Sequence, residues 1–226
     1  MKHRNSHLLV GYWSRLRHLH DVPDQTDIDP RDIKRLLPYV FILDAEDPAR
    51  PIYRLAGTAL CERFGFELKG TGFLAHWEAR SATALVSLLE QSLKMRQPVC
   101  LTSIGASVDC GMVELETVLA PIKFGSRGPT RFVGMIQVLS DANLLCGRPV
   151  AFQRLAASQL IREGDPRPVY HNSEPPPPPP PMLRGHPKAP HLRLIVSRDK
   201  PAVMTFAAED ILTRMFNTFG SQLGAG

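Results

Sequence analysis

Catalytic signatures are what this chain most plainly lacks. No Walker-type GxxxxGK[ST] loop, GxSxG elbow or GxGxxG turn occurs in its 226 residues. Gly70, Thr71 and Gly72 are too short a run to seat a dinucleotide. Cys61, Cys100, Cys110 and Cys146 form no CxxC pair. No histidine, cysteine and carboxylate stand at zinc-ligand spacing, and His18 and His20 lack the further ligands a metal needs. No apolar run approaches the roughly 18 residues that span a bilayer, and the first residues do not have the form of a signal peptide. These gaps predict a cytoplasmic protein with reduced thiols, no resident cofactor or metal, and no enzyme activity of its own.

Acid is missing from the first twenty residues, where Lys2, Arg4, Arg15 and Arg17 stand alone. Neither part of the chain carries the dense basic stripe of a nucleic-acid footprint, and the net charge is only +5. A solvated helix face is the simpler account of that basic start. Hydrophobic residues at 43% suffice for a packed core. The 21 prolines do not suit one compact unit, and they concentrate beyond residue 145. The expected organisation is a domain over 1–145, a proline-rich linker over 146–190 and a short segment over 191–226.

Within the domain the pattern alternates between short strands and helices. Residues 8–16 form an apolar helical stripe containing Tyr12 and Trp13. Asp29 can cap a second short helix with Pro30 at its first position, ending at Leu36, Leu37 and Pro38. Strands are expected at 39–44 and 52–55, then a helix over 59–64 closed by Gly65. Apolar residues at 82, 85, 88, 89 and 93 predict a long helix over 81–95. Three strands follow at 99–104, 112–122 and 131–139. In the middle one Glu114 and Glu116 alternate with Val113, Leu115 and Thr117, the period of an antiparallel strand with one buried face. Residues 150–161 are expected to continue as a helix.

Pro175 to Pro181 favour an extended polyproline spacer, roughly 20 Å at about 3.1 Å per residue. Beyond it, Ile211, Leu212, Met215, Phe216, Phe219 and Leu223 make an amphipathic stripe weakened by Gly220. An interaction helix and a disordered tail both remain open there.

The Tyr12-Trp13 helix, the Asp27-Ile28-Asp29-Pro30 turn, the Leu36-Leu37-Pro38 exit and the later run AGTALCERFGFELKG resemble an alphaproteobacterial family of stand-alone PAS domains. The resemblance covers about residues 8–140. It implies an α+β fold, a five-stranded antiparallel sheet with helices across one face enclosing a small pocket; the flexible proline-rich C-terminal extension expected from composition lies outside it. It also implies a sensory module that signals through protein–protein interaction, gated by a small ligand. Trp13, Asp29, Pro30, Leu36, Pro38, Gly57, Thr58, Cys61, Gly65 and Gly70 match as capping, turn and packing positions.

Under that resemblance the candidate pocket is lined by Leu60, Cys61, Phe64, Phe73, Trp77, Leu85, Thr117 and Gln137. Gln137 belongs there only if the strand face it shares with Val133 and Met135 is the buried one; otherwise it is wet. Leu9, Tyr12, Trp13 and Leu16 form a candidate dimer helix, the alternative being that they pack on their own domain. The expected partner is a second copy or a signalling protein, with no nucleic acid and no membrane span. A haem- or flavin-bound sensor is the rival reading. Against it, Cys61 lies in Leu-Cys-Glu-Arg-Phe and lacks the Asn-Cys-Arg-Phe setting of light-sensing relatives, and His76 is more simply a cap beside the long helix than an axial ligand.

Overall fold

A computed structural model describes residues 1–17, 21–109, 111–125 and 128–162. The elements run α1 (Arg4–Leu16), β1 (Val40–Asp44), β2 (Ile52–Ala56), α2 (Thr58–Phe64), α3 (Ala79–Met95), β3 (Val99–Ala106), β4 (Met112–Ile122), β5 (Arg131–Val138) and β6 (Phe152–Leu160). All six strands join one sheet in the order β2-β1-β5-β4-β3-β6, each pairing antiparallel. The fold class is the one the sequence predicts, with a sixth strand and a second helical layer added to it.

Side-chain alternation along the central strands builds two cores. Val113, Leu115 and Leu119 of β4 point to one face, joining Phe41, Leu43, Phe132 and Ile136. Val118, Ala120 and Ile122 point to the other, joining Val40, Ile42, Val133 and Met135. The first core is roofed by α2 and α3, through Leu60, Phe64, Leu85 and Leu89. The second is roofed by α1, through Leu9, Val10, Tyr12 and Trp13, and by Ile33 and Leu36. Helices therefore cover both faces, not one. The reason is that β4 and β5 are apolar on both sides, so each face needs a cover.

Local chemistry sets the helix limits. The His3 imidazole caps α1 by accepting the Asn5 amide at 3.1 Å. Gly65 ends α2 in the left-handed region, φ 81°, where its amide donates to the Cys61 carbonyl at 2.8 Å. The second short helix expected from Asp29 does not form. Residues 30–36 make consecutive turns, with Asp29 accepting from Arg31 N, and a 3-10 turn at Leu37–Tyr39 leads into β1. Ile33 and Leu36 both face the sheet, and hydrogen bonds such as Leu36 N to Ile33 O (2.8 Å) give the three-residue repeat that this needs.

The helix expected over 150–161 is instead β6. It pairs with β3 from Phe152 opposite Ala106 to Leu160 opposite Val99, with a bulge beside Thr102 and Ser103. The domain limit expected at 145 thus falls before a strand of the sheet. The rest of the proposed linker, from residue 163, and the C-terminal stripe lie outside the described residues.

Candidate functional site

The core beneath α2 and α3 gathers most of the predicted pocket residues. Leu60, Phe64, Phe73, Trp77, Leu85 and Thr117 are buried there, and Cys61 packs against the same cluster from a half-buried position. Two aromatic residues that the sequence did not mark, Phe41 and Tyr53, sit at the centre. The rings form a continuous array: Phe41 and Tyr53 edge to face at 5.4 Å, Phe41 stacked on Phe73 at 6.2 Å, and Phe73 tilted on Trp77 at 5.8 Å. Burial pushes the Tyr53 hydroxyl far above the usual phenol range, so it stays neutral.

Phe41 reaches this position because Gly134, its neighbour on β5, has no side chain. A methyl group at Gly134 would lie 2.3 Å from the Phe41 ring and 2.8 Å from the Val118 carbonyl. Gly134→Ala is expected to cost about 1–3 kcal/mol by forcing the ring off its place. The shift should appear in the near-ultraviolet dichroism of the folded protein as well as in its urea midpoint.

Three polar atoms in or against this core have no partner among the described residues: the Thr117 hydroxyl, the Trp77 indole nitrogen and, beside Phe64, His76 Nε2. Thr117 stands opposite Leu101 and Ile136 in the middle of the sheet. Trp77 lies at one end, bridged to Gln153 of β6. Buried polar atoms are normally satisfied, so these positions are exceptions to that rule.

Gln137 is not part of this site. It is buried, yet on the opposite face, directly across from Glu116 and beneath α1. The sequence could not place it because its burial depends on α1 folding back over β4 and β5. The candidate dimer helix is corrected for the same reason. Leu9, Tyr12 and Trp13 are buried against their own sheet, Leu16 is half-buried, and the Trp13 indole donates to the Pro121 carbonyl at 2.7 Å. Leu8 and Arg15 are what the helix leaves exposed.

His76 lies between Phe64 and Phe66, at 5.3 and 5.2 Å. Burial lowers its pKa, against a hydrogen bond to the Ala151 backbone. Cys61 Sγ faces Glu67 Oε1 at 3.6 Å. A separate open cleft of about 230 Å³ is lined by Asp44, Glu46, Phe124, Thr130 and Arg131. Its cation is already engaged, since Arg131 contacts Asp44 at 3.5 Å and Gln25 at 2.8 Å and covers the Phe124 ring at 3.6 Å. No cluster of three or more metal-ligating side chains occurs among the described residues.

This arrangement, a sheet with short helices over a compact aromatic core, agrees with a family model for the PAS domain that matches residues 1–137. The chain belongs to the PAS domain family. Comparison with curated proteins finds no match. Among solved structures, this PAS domain is similar to a Rhodobacter sphaeroides LOV protein at 13% identity and TM-score 0.38, covering 51% of this chain and 70% of that one. It is also similar to the dark structure of the blue-light photoreceptor Aureochrome1 LOV at 14% identity and TM-score 0.39, covering 57% and 95%. An RNA-binding light-oxygen-voltage receptor matches at 21% identity and TM-score 0.34, covering 46% and 29%.

A flavin does not fit the PAS core as its residues stand. Phe41, Tyr53, Phe73 and Trp77 occupy the space between sheet and helices. His76 packs between two aromatic rings, and its Nε2 is buried without a hydrogen-bond partner among the described residues. No helix among the described residues is long and apolar enough to cross a membrane.

Proposed function

We propose that this PAS domain is a non-catalytic regulatory module of the cytoplasm that senses a signal and passes it on by protein–protein contact. The observation that carries the reading is the filled core: the protein's own aromatic rings take the volume in which a large prosthetic group would sit. The motif likeness to stand-alone alphaproteobacterial PAS domains supports the same assignment. Purified protein is expected to show no absorption band between 350 and 500 nm. A visible band lost in Cys61→Ser or His76→Ala would reject the reading in favour of a flavin or haem sensor.

The unpartnered Thr117 hydroxyl and Trp77 indole favour a small polar ligand as the gate. Such a ligand would hydrogen-bond to one of them after the rings move apart. Mass spectrometry of the extract from denatured protein tests this, with the double variant Thr117→Val, Trp77→Phe expected to lose any species retained by the native chain. The expected partner is a second copy, which light scattering would register as twice the 25.1 kDa chain mass. A monomer at every concentration would remove the dimer and leave a separate signalling protein as the partner.

A further inference from the structure

The start of α1 is held by two groups that both depend on protonation state, one that ties it to the sheet and one that caps the helix. Glu116 is only 1% exposed, in the middle of β4. Its Oε2 accepts the Lys2 amide at 2.5 Å and its Oε1 accepts the His3 amide at 3.0 Å. One buried carboxylate thus takes the two backbone donors that lead into the helix. The ring of the same His3 accepts the Asn5 amide through Nδ1 and serves as the helix cap. That bond requires the neutral ring with Nδ1 unprotonated. A proton there turns the acceptor into a donor and sets a positive charge at the positive end of the helix dipole.

The other charged and titratable groups around this corner are few. From β4 comes Glu114, whose Oε1 pairs with Lys2 Nζ at 2.6 Å on the surface. From β3 comes the buried Cys100 thiol, which interacts with Glu116 and the amino terminus. From α1 and its lead come Lys2, Arg4 and His7, the last bonded through Nε2 to the Met1 carbonyl at 3.1 Å. Gln137 and Thr102, directly opposite Glu116 on the flanking strands, are uncharged.

We propose that Glu116 and the His3 cap form a pH-operated latch, which holds the start of α1 on the sheet at neutral pH and releases its first turns on acidification. Both groups act in the same direction. Burial lowers the His3 pKa from 6.5, partly countered by the Glu116 charge. For Glu116, burial disfavours the charge, but the Lys2 and His3 amides that its two oxygens accept hold the carboxyl below 4.5. A lowered native value means that the stabilisation is present above the unfolded value and is lost as pH falls through the native one. The His3 contribution therefore fades first, below about pH 6.5, and the Glu116 contribution follows below about pH 4.5. The latch stands on this geometry alone. Only its use as a signal rests on the interaction reading above.

Hydrogen exchange of the full-length chain at pH 7.5 and 5.5, corrected for intrinsic rates, tests the latch. Protection of amides 5–10 is expected to fall at pH 5.5 while that of amides 85–92 in α3 stays unchanged. His3→Asn keeps a capping acceptor without a titrating ring, so its protection at 5–10 should be the same at both pH values. Glu116→Gln should lose protection there already at pH 7.5. Equal protection of the wild-type helix at both pH values would overturn the latch, as would an undiminished pH effect in His3→Asn. The His3→Asn comparison decides even if Glu116→Gln fails to fold. Exchange within one chain is read independently of partner binding, so failure of the latch and failure of the dimer are separate results.

Discussion

Trp13→Ala is expected to destabilise the domain by about 3–5 kcal/mol, the range for removing a fully buried indole. Trp13 is 2% exposed, sits at the centre of the α1 stripe and donates its only indole proton to Pro121. Truncation leaves a cavity over Val118, Ala120 and Ile122 and a carbonyl without its donor. A loss of that size is a large share of the roughly 5–15 kcal/mol that holds an ordinary domain together. Urea denaturation followed by dichroism would show it as a lower midpoint with an unchanged slope. Trp13→Phe should recover most of the packing and little of the hydrogen bond. An unchanged midpoint for Trp13→Ala would mean that α1 contributes nothing to the fold.

A chain that ends at residue 145 is expected to aggregate, whereas one that ends at 162 folds. Removing β6 strips β3 of its partner along the whole of Val99–Ala106. It also takes away Val150, 1% exposed, together with Leu155 and Leu160, which pack on the same core as Trp77. Each such side chain contributes roughly 1.5–3 kcal/mol when fully buried, so their joint loss is severe. The edge left behind, Val-Cys-Leu-Thr-Ser-Ile-Gly-Ala, is long and uncharged, and such edges recruit other strands. Sedimentation and light scattering of the two truncated chains make the comparison. A soluble 1–145 chain with the melting temperature of the 1–162 chain would show β6 to be dispensable.

How far the sequence led depended on whether one cover decided a segment's burial or several did. β4 was legible to the residue, since Glu114 and Glu116 alternate with apolar neighbours over 112–122. In α3, Leu85 and Leu89 carry the stripe on one face, so the helix was found within two residues of its true start. β6 was misread because its burial is one-sided and interrupted. Ala156, Ala157, Ser158 and Gln159 are all exposed, and the bulge opposite Thr102 and Ser103 shifts the alternation in mid-strand. Without a period of two, a run of Ala, Gln and Leu has the composition of a helix. Gln137 and Glu116 were illegible for a different reason. The wet face expected from Glu114 and Glu116 exists only until α1 lies across it, and that is a tertiary event no local pattern records.

Cys100 offers a way to count how often α1 lifts. Its thiol is buried beneath the helix and pushed up to about 12, chiefly by burial and then by the Glu116 charge, so at neutral pH it carries almost no thiolate. Cys61 is half-buried and Cys146 exposed, so both are open to an alkylating reagent long before Cys100 is. Each excursion of α1 away from the sheet would give Cys100 water and an ordinary acidity for the lifetime of the open form. Its labelling rate, divided by the rate in unfolded protein, is then an equilibrium constant for local opening. Among the described thiols, Cys100 thus makes the docked helix a clock that can be read with no label introduced into the chain.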